Sequence, residues 1–152
     1  MSLDARNTGL DRLSSEMLML SREECLRLLS AYRFGRLAIA TDSPVIRPVN
    51  YLFDEPSQSV VFRTADGSKF HALLLAAQAA FEIDGIDEGS HTGWSVIVAG
   101  RAEEVTSLSD VRRLDALGLE PWAPGPKPHW MRIRAFTVTG RRIVLAASTP
   151  AT

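Results

Sequence analysis

The sequence predicts a mainly β fold with a few short helices, in which about six strands close or nearly close into an antiparallel barrel. Three observations carry this expectation. Short runs rich in Val, Ile, Phe and Ala recur between clusters of Asp, Ser, Pro and Gly that favour turns. The segments with helical spacing between them are all short. Pro48 interrupts one apolar run and, lacking a ladder donor, belongs at an edge, a bulge or a rim.

Taken in order, residues 1–20 show no clean period and read as an N-terminal arm with room for a short helical piece. One domain is expected over 21–146 and a short tail over 147–152. Ser21 and Glu24 form an S-x-x-E capping box, with Leu20 and Cys25 placed as a hydrophobic staple. Cys25, Leu28, Leu29 and Tyr32 continue the stripe that one helix face buries, which makes Cys25 a core residue rather than a reactive thiol. GRLAIAT, VIRPVNYLF and SVVFRT then read as three strands. A helix follows in SKFHALLLAA, a strand near AAFEID, and a turn around Gly85 to Gly93. In the long strand WSVIVAGRAEEV both alternating sets are mostly apolar, so both faces are expected to be covered. SDVRRLDALG is a third short helix stopping at Gly118, EPWAPGPKPHW is a loop by its four prolines, and MRIRAFTVTG is the last strand.

The 152 residues suffice for one real core. Seventeen basic and 18 acidic side chains leave a net charge of −1 without a basic stripe, which argues against nucleic acid as a partner. No apolar stretch approaches the ~18 residues of a membrane span, and the polar N-terminus does not resemble a signal peptide. A single cysteine fits a reducing compartment. A cytoplasmic protein is expected, with neither membrane nor nucleic acid among its partners.

The chemistry concentrates in FRTADGSK. Arg63 offers a bidentate fork, Lys69 a point charge, and Thr64 and Ser68 hydroxyls, around a turn that leads into a helix N-terminus. A phosphate would be held by such a set; a solvated turn is the competing reading. The preceding run places Arg47 and Asn50 around Pro48, either as a wall for a flat ring or with Arg47 in a surface ion pair with Asp54 or Glu55. His71, His91 and His129 lack the spacing of a metal site, and no residue stands out as catalytic. Trp122 and Trp130 would cap a ligand or, preferably, pack at a dimer seam.

GRLAIA, PVNY, the strand ending in FRTA, GSK, FEID and GWSVIVAGRAEEV together resemble the pyridoxamine 5′-phosphate oxidase-like, FMN-binding split-barrel family, in its short flavin-nucleotide-binding branch. The resemblance runs from about Leu20 to Ile143. It implies a six-stranded split β-barrel, assembled as a homodimer with FMN sites at the interface. By the same resemblance Arg47, Pro48, Val49 and Asn50 would line the isoalloxazine ring. Arg63, Thr64, Ser68 and Lys69 would hold the phosphate and ribityl chain, and Trp94 and Ser95 would reach the cofactor from the second subunit. The implied activity is an oxidoreductase passing hydride or electrons to a small-molecule substrate. A non-catalytic flavin carrier or sensor, and a deazaflavin-dependent reductase, are the alternatives. The C-terminal TVTGRRIVLAAS lacks the histidine with which the oxidases grip pyridoxine phosphate, so that substrate does not follow.

Overall fold

Ser21 and Glu24 cap each other's backbone: Ser21 N donates to Glu24 Oε2 at 2.8 Å, and Glu24 N to Ser21 Oγ at 3.2 Å. The cap opens helix α1, Arg22–Ala31, in a computed structural model that describes residues 14–146. Cys25 and Leu29 of α1 are buried as the stripe requires, whereas Tyr32, its last member, caps the helix C-terminus and is exposed. Burial also raises the Cys25 thiol above its ordinary pKa, so it is a core residue. Ser68 caps α2, Lys69–Ala76, and Ser107 precedes α3, Leu108–Asp115, which starts slightly earlier than its expected segment.

The strands are β1 (Ser15–Met19), β2 (Phe34–Ile39), β3 (Val45–Asn50), β4 (Leu52–Asp54), β5 (Ser59–Thr64), β6 (Gln78–Asp87), β7 (Thr92–Glu104), β8 (His129–Arg134) and β9 (Thr137–Leu145). They pair in the order β3-β2-β6-β7-β8-β5-β4, with β9 on β7 and β1 on β9, and every pairing is antiparallel. Strand β7 sets the curl. Thr92–Arg101 pairs with β6, whereas Ala102–Glu104 pairs with β8. One long strand thus serves two sheets, and the result is a split barrel.

Among the described residues nine strands replace the expected six, for three local reasons. Part of the expected arm, Ser15–Met19, is β1 and adds to β9; the rest of the arm and the 147–152 tail lie outside the described residues. The run VIRPVNYLF breaks at Tyr51, which turns into the core and donates its hydroxyl to Leu29 O at 2.8 Å. MRIRAFTVTG breaks at Ala135, buried and tied by its N–H to Gln58 O at 2.9 Å. Strands β6 and β7 are also longer than expected, leaving only residues 88–91 for their turn. Pro48 lies on β3, at one end of the strand order, where its missing donor is harmless.

The main core joins α1, β2, β5, β6, β7 and β8 through Leu29, Leu37, Phe62, Phe81, Val98 and Ile133. A satellite core under α3 holds Val61, Val105, Leu114 and Trp130. Trp130 is therefore an intramolecular core residue rather than a seam residue, and its Nε1 donates to Asp115 Oδ1 at 2.7 Å. Within a single chain β7 is covered on one face. Val96 and Val98 are buried, but Ile97 on the opposite face is 40% exposed. Among the described residues, no helix is long and apolar enough to cross a membrane.

Candidate functional site

The end of β5, the Asp66-Gly67 turn and the first turn of α2 form one continuous structure. Gly67 takes φ +63°, a left-handed conformation that suits glycine. Ser68 then fixes the helix start: its Oγ accepts from His71 N at 3.0 Å and donates to Ala65 O at 3.2 Å. With the His71 N–H capped and the Ala72 N–H bonded to Ser68 O, the N–H groups of Lys69 and Phe70 are left at the helix end without intrahelical acceptors. The Lys69 side chain is exposed and has no ion-pair partner among the described residues.

Arg47 reaches this helix end from β3. Its guanidinium lies 5.0 Å from the centre of the Phe70 ring, and it forms no ion pair with Asp54 or Glu55. Asp54 is taken by Arg113, which donates to it from both guanidinium nitrogens. Arg63 turns toward the Pro-rich loop, where its Nε donates to Lys127 O at 2.7 Å and its guanidinium stands 5.3 Å from the Trp130 ring centre. The same loop is pinned to β3, since Trp122 N donates to Asn50 Oδ1 at 2.9 Å. Trp122 itself stacks on Phe34, with ring centres 5.2 Å apart. Pro48 is exposed on β3, and Val49 packs partly against the core.

Residues 120–128 therefore bridge the end of β3 and the end of β5. The structure brings Arg47 and Asn50 into one neighbourhood with Arg63, Thr64, Ser68 and Lys69, a result of the loop that sequence reasoning left without a role. Proline density was the available signal, because it stiffens a loop that has to hold its ends apart.

Trp94 and Ser95 lie elsewhere. Trp94 packs 5.0 Å from the Tyr32 ring and over Gly85, and Ser95 lines a groove of about 780 Å³ with Met17, Ile86, Arg141 and Ile143. Along β7, Trp94 lies ten residues from Glu104, the residue that meets His129 behind the α2 turn, and its neighbour Tyr32 stands two residues before Phe34, on which Trp122 stacks. Arg142 pairs with Trp94 across β7 and β9, and its buried Nε has no hydrogen-bond partner among the described residues. Arg141 is exposed at the groove.

A histidine cluster sits behind the turn. Thr64 is buried, and its Oγ1 lies 2.7 Å from His71 Nδ1. The rings of His71 and His129 are 4.6 Å apart. His129 bonds Asp66 through Nε2 at 2.9 Å and Glu104 through Nδ1. The Asp66 hydrogen bond, seconded by Glu104, holds the His129 imidazole above its ordinary pKa, and the same bond lowers Asp66. Local spacing could not reveal this cluster, because it depends on the Thr64–His129 register between β5 and β8.

Comparison with known proteins places this geometry in a family. The family model for pyridoxamine 5′-phosphate oxidase matches residues 21–142. The uncharacterized protein Rv0080 of Mycobacterium tuberculosis is 37% identical over 141 residues, 89% of this chain and 91% of its own. The FAD-binding protein of Mycobacterium smegmatis is 34% identical, with a TM-score of 0.69 over 82% of this chain and 98% of its own. A conserved protein of unknown function from Corynebacterium diphtheriae, DIP1874, is also 34% identical, with a TM-score of 0.70 over 84% of this chain and 98% of its own. With its split barrel and a family match that spans both β3 and the α2 turn, the chain belongs to the pyridoxamine 5′-phosphate oxidase family.

Proposed function

We propose that this chain is a flavin-dependent oxidoreductase that binds FMN between β3, the Pro-rich loop and the N-terminus of α2, and acts on a small-molecule substrate. One observation carries the reading: Arg47 crosses from the edge strand to Phe70, beside the open N–H groups and unpaired Lys69 at the start of α2. That set fits a phosphate, which needs positive charge and directed donors in a small volume. In this reading the roles divide further. Ser68 serves by holding the turn, since its hydroxyl proton is committed to Ala65 O. If His71 Nδ1 donates to Thr64, the Thr64 hydroxyl keeps a proton for the phosphate or ribityl chain.

Bound flavin would supply the hydride or electron transfer, and the protein would contribute placement and electrostatics. Pro48, Val49 and Asn50 of β3 would line one side of the ring, with the loop at Trp122, held to Asn50, closing it against water. No side chain of this chain is assigned as acid or base. Trp94 and Ser95 would approach the ring of a second copy, and the working unit is then a homodimer. The FAD-binding relative from Mycobacterium smegmatis supports a flavin and makes FAD the first competitor of FMN. Deazaflavin is the next, and a flavin carrier or sensor is the non-enzymatic alternative.

The test is an absorbance spectrum of the freshly purified protein, with mass spectrometry of the released ligand, followed by turnover with a reduced nicotinamide and a candidate acceptor. Many turnovers support the enzyme. A bound flavin that neither donor nor acceptor changes supports the carrier, and a protein that cannot be loaded with any flavin ends both.

A further inference from the structure

We propose that His71, His129 and Glu104 form a binding site for a divalent transition metal, with Zn²⁺ the best match. The three residues come from α2, β8 and β7, and one ligand atom of each lies within 4.8 Å of the other two. Donors around a tetrahedral zinc with bonds of about 2.1 Å stand about 3.4 Å apart, so small side-chain rotations close the site. All three residues are partly buried, which limits their freedom before any ion arrives.

The outer contacts supply the independent argument. A metal-bound histidine has its second nitrogen held by an oxygen that fixes the ring. Both histidines have that oxygen: Thr64 Oγ1 at 2.7 Å from His71 Nδ1, and Asp66 Oδ1 at 2.9 Å from His129 Nε2. These contacts leave His71 Nε2 and His129 Nδ1 as the ligand atoms, and Glu104 Oε1 already meets His129 Nδ1. The charges also balance, since two neutral imidazoles with two nearby carboxylates offset a dication. Two nitrogens and one carboxylate favour zinc and its neighbours over Mg²⁺ or Ca²⁺, which prefer oxygen. Without metal, a proton between His129 Nδ1 and Glu104 satisfies the same contact. The ion therefore enters by displacing that proton, which passes to solvent. A fourth position stays open for water or another donor. None of this depends on the flavin reading.

The experiment is calorimetric titration of the full chain, stripped with chelator, using Zn²⁺ and then Mg²⁺. One Zn²⁺ per chain is expected, with a heat that changes between buffers of different ionisation enthalpy as the proton leaves, and no saturable Mg²⁺ binding. His71→Ala, His129→Ala and the nearly isosteric Glu104→Gln should each weaken Zn²⁺ at least tenfold, while His91→Asn on the distant β6–β7 turn should not. Thermal melts select the variants that remain folded, and Glu104→Gln decides the matter if the alanine variants do not. The proposal is overturned if the wild-type chain shows no saturable Zn²⁺ binding. It is equally overturned if folded Glu104→Gln binds as the wild type does, or if His91→Asn loses as much.

Discussion

Arg47 stands with its guanidinium 5.0 Å from the centre of the Phe70 ring, so the edge strand β3 and the first turn of α2 are joined by a single side chain. Such a contact is worth about 0.5–1 kcal/mol at an exposed site. Its larger effect is positional: it brings a fixed positive charge to a helix end whose N–H groups already attract anions.

The first prediction separates phosphate from ring. Lys69→Ala should weaken FMN about ten- to a hundredfold, the cost of a charge-assisted contact, and leave riboflavin almost unchanged. Arg63→Ala should follow the same pattern, with an added loss because Lys127 O forfeits its donor. Asn50→Ala should weaken both ligands about equally, because it is assigned to the ring they share and its loss also releases Trp122. Fluorescence titrations of the three variants with both ligands check this. Equal losses for both ligands in Lys69→Ala would make the turn an ordinary solvated turn.

A second prediction concerns acid stability. Burial pushes the Asp54 carboxyl up, but hydrogen bonds from Arg113 and Ser57, with the Arg113 charge, outweigh it and hold the pKa below the ordinary 3.8. A depressed carboxylate pKa contributes stability that is complete above the unfolded value and fades as pH falls through the folded one. Urea midpoints should therefore be insensitive to this pair above about pH 5 and fall below about pH 4, and Asp54→Asn should lose that part of the slope. Arg113→Ala should cost about 1–3 kcal/mol at neutral pH, more than Asp54→Ala, because it leaves a largely buried carboxylate with the Ser57 hydroxyl in place of its cationic partner.

A third prediction tests the packing of Trp94. A Cβ at Gly85 would lie 2.5 Å from Trp94 Nε1, so Gly85→Ala must displace the indole from its place beside Tyr32. Overpacking of this kind costs about 1–3 kcal/mol, and a chain this size loses about 2–4 °C of Tm per kcal/mol. A lower melting temperature with a shifted tryptophan emission is expected; unchanged values for both would mean that Trp94 is free to move.

The parts of this fold that were legible in the sequence are those set by neighbouring residues. The Ser21–Glu24 box, the buried face of α1 and the edge position of Pro48 each follow from a few adjacent side chains. Tyr51 and Ala135 broke two expected strands because their partners, Leu29 O and Gln58 O, are distant in sequence. The candidate phosphate residues Arg63, Thr64, Ser68 and Lys69 are close in the chain, whereas the loop from Trp122 to Lys127 beside them and the His71–His129 contact exist only through tertiary pairing. Trp130 misled for a related reason: beside a proline-rich loop it reads as exposed, yet the register of β8 on β5 points it into the satellite core.

The last prediction is the homodimer. On β7 the residues Gly93, Ser95 and Ile97 face away from the core; Gly93 stands between Ile86 and Ile143, Ser95 between Asp84 and Arg141, and Ile97 between Glu82 and Thr139. Met17 extends it onto β1 opposite Ile143. Ile86 is 71% exposed and Met17 58%, so the face combines large apolar side chains with a groove that a monomer would leave to water. Ser95 lies on this face and Trp94 lines the same groove, both toward the end of β7 opposite Glu104. A second copy accounts for both facts: it covers the apolar face and brings a foreign Trp94 toward each ring. A stable interface of this kind buries about 1,600 Å² or more. Ile97→Glu and Met17→Glu together should therefore give a folded monomer by light scattering at micromolar concentration, and flavin affinity should fall with the dimer. A wild-type monomer that still binds flavin would overturn the shared site, whereas a monomeric variant with undiminished flavin affinity would confine the site to one chain and leave Trp94 to packing alone.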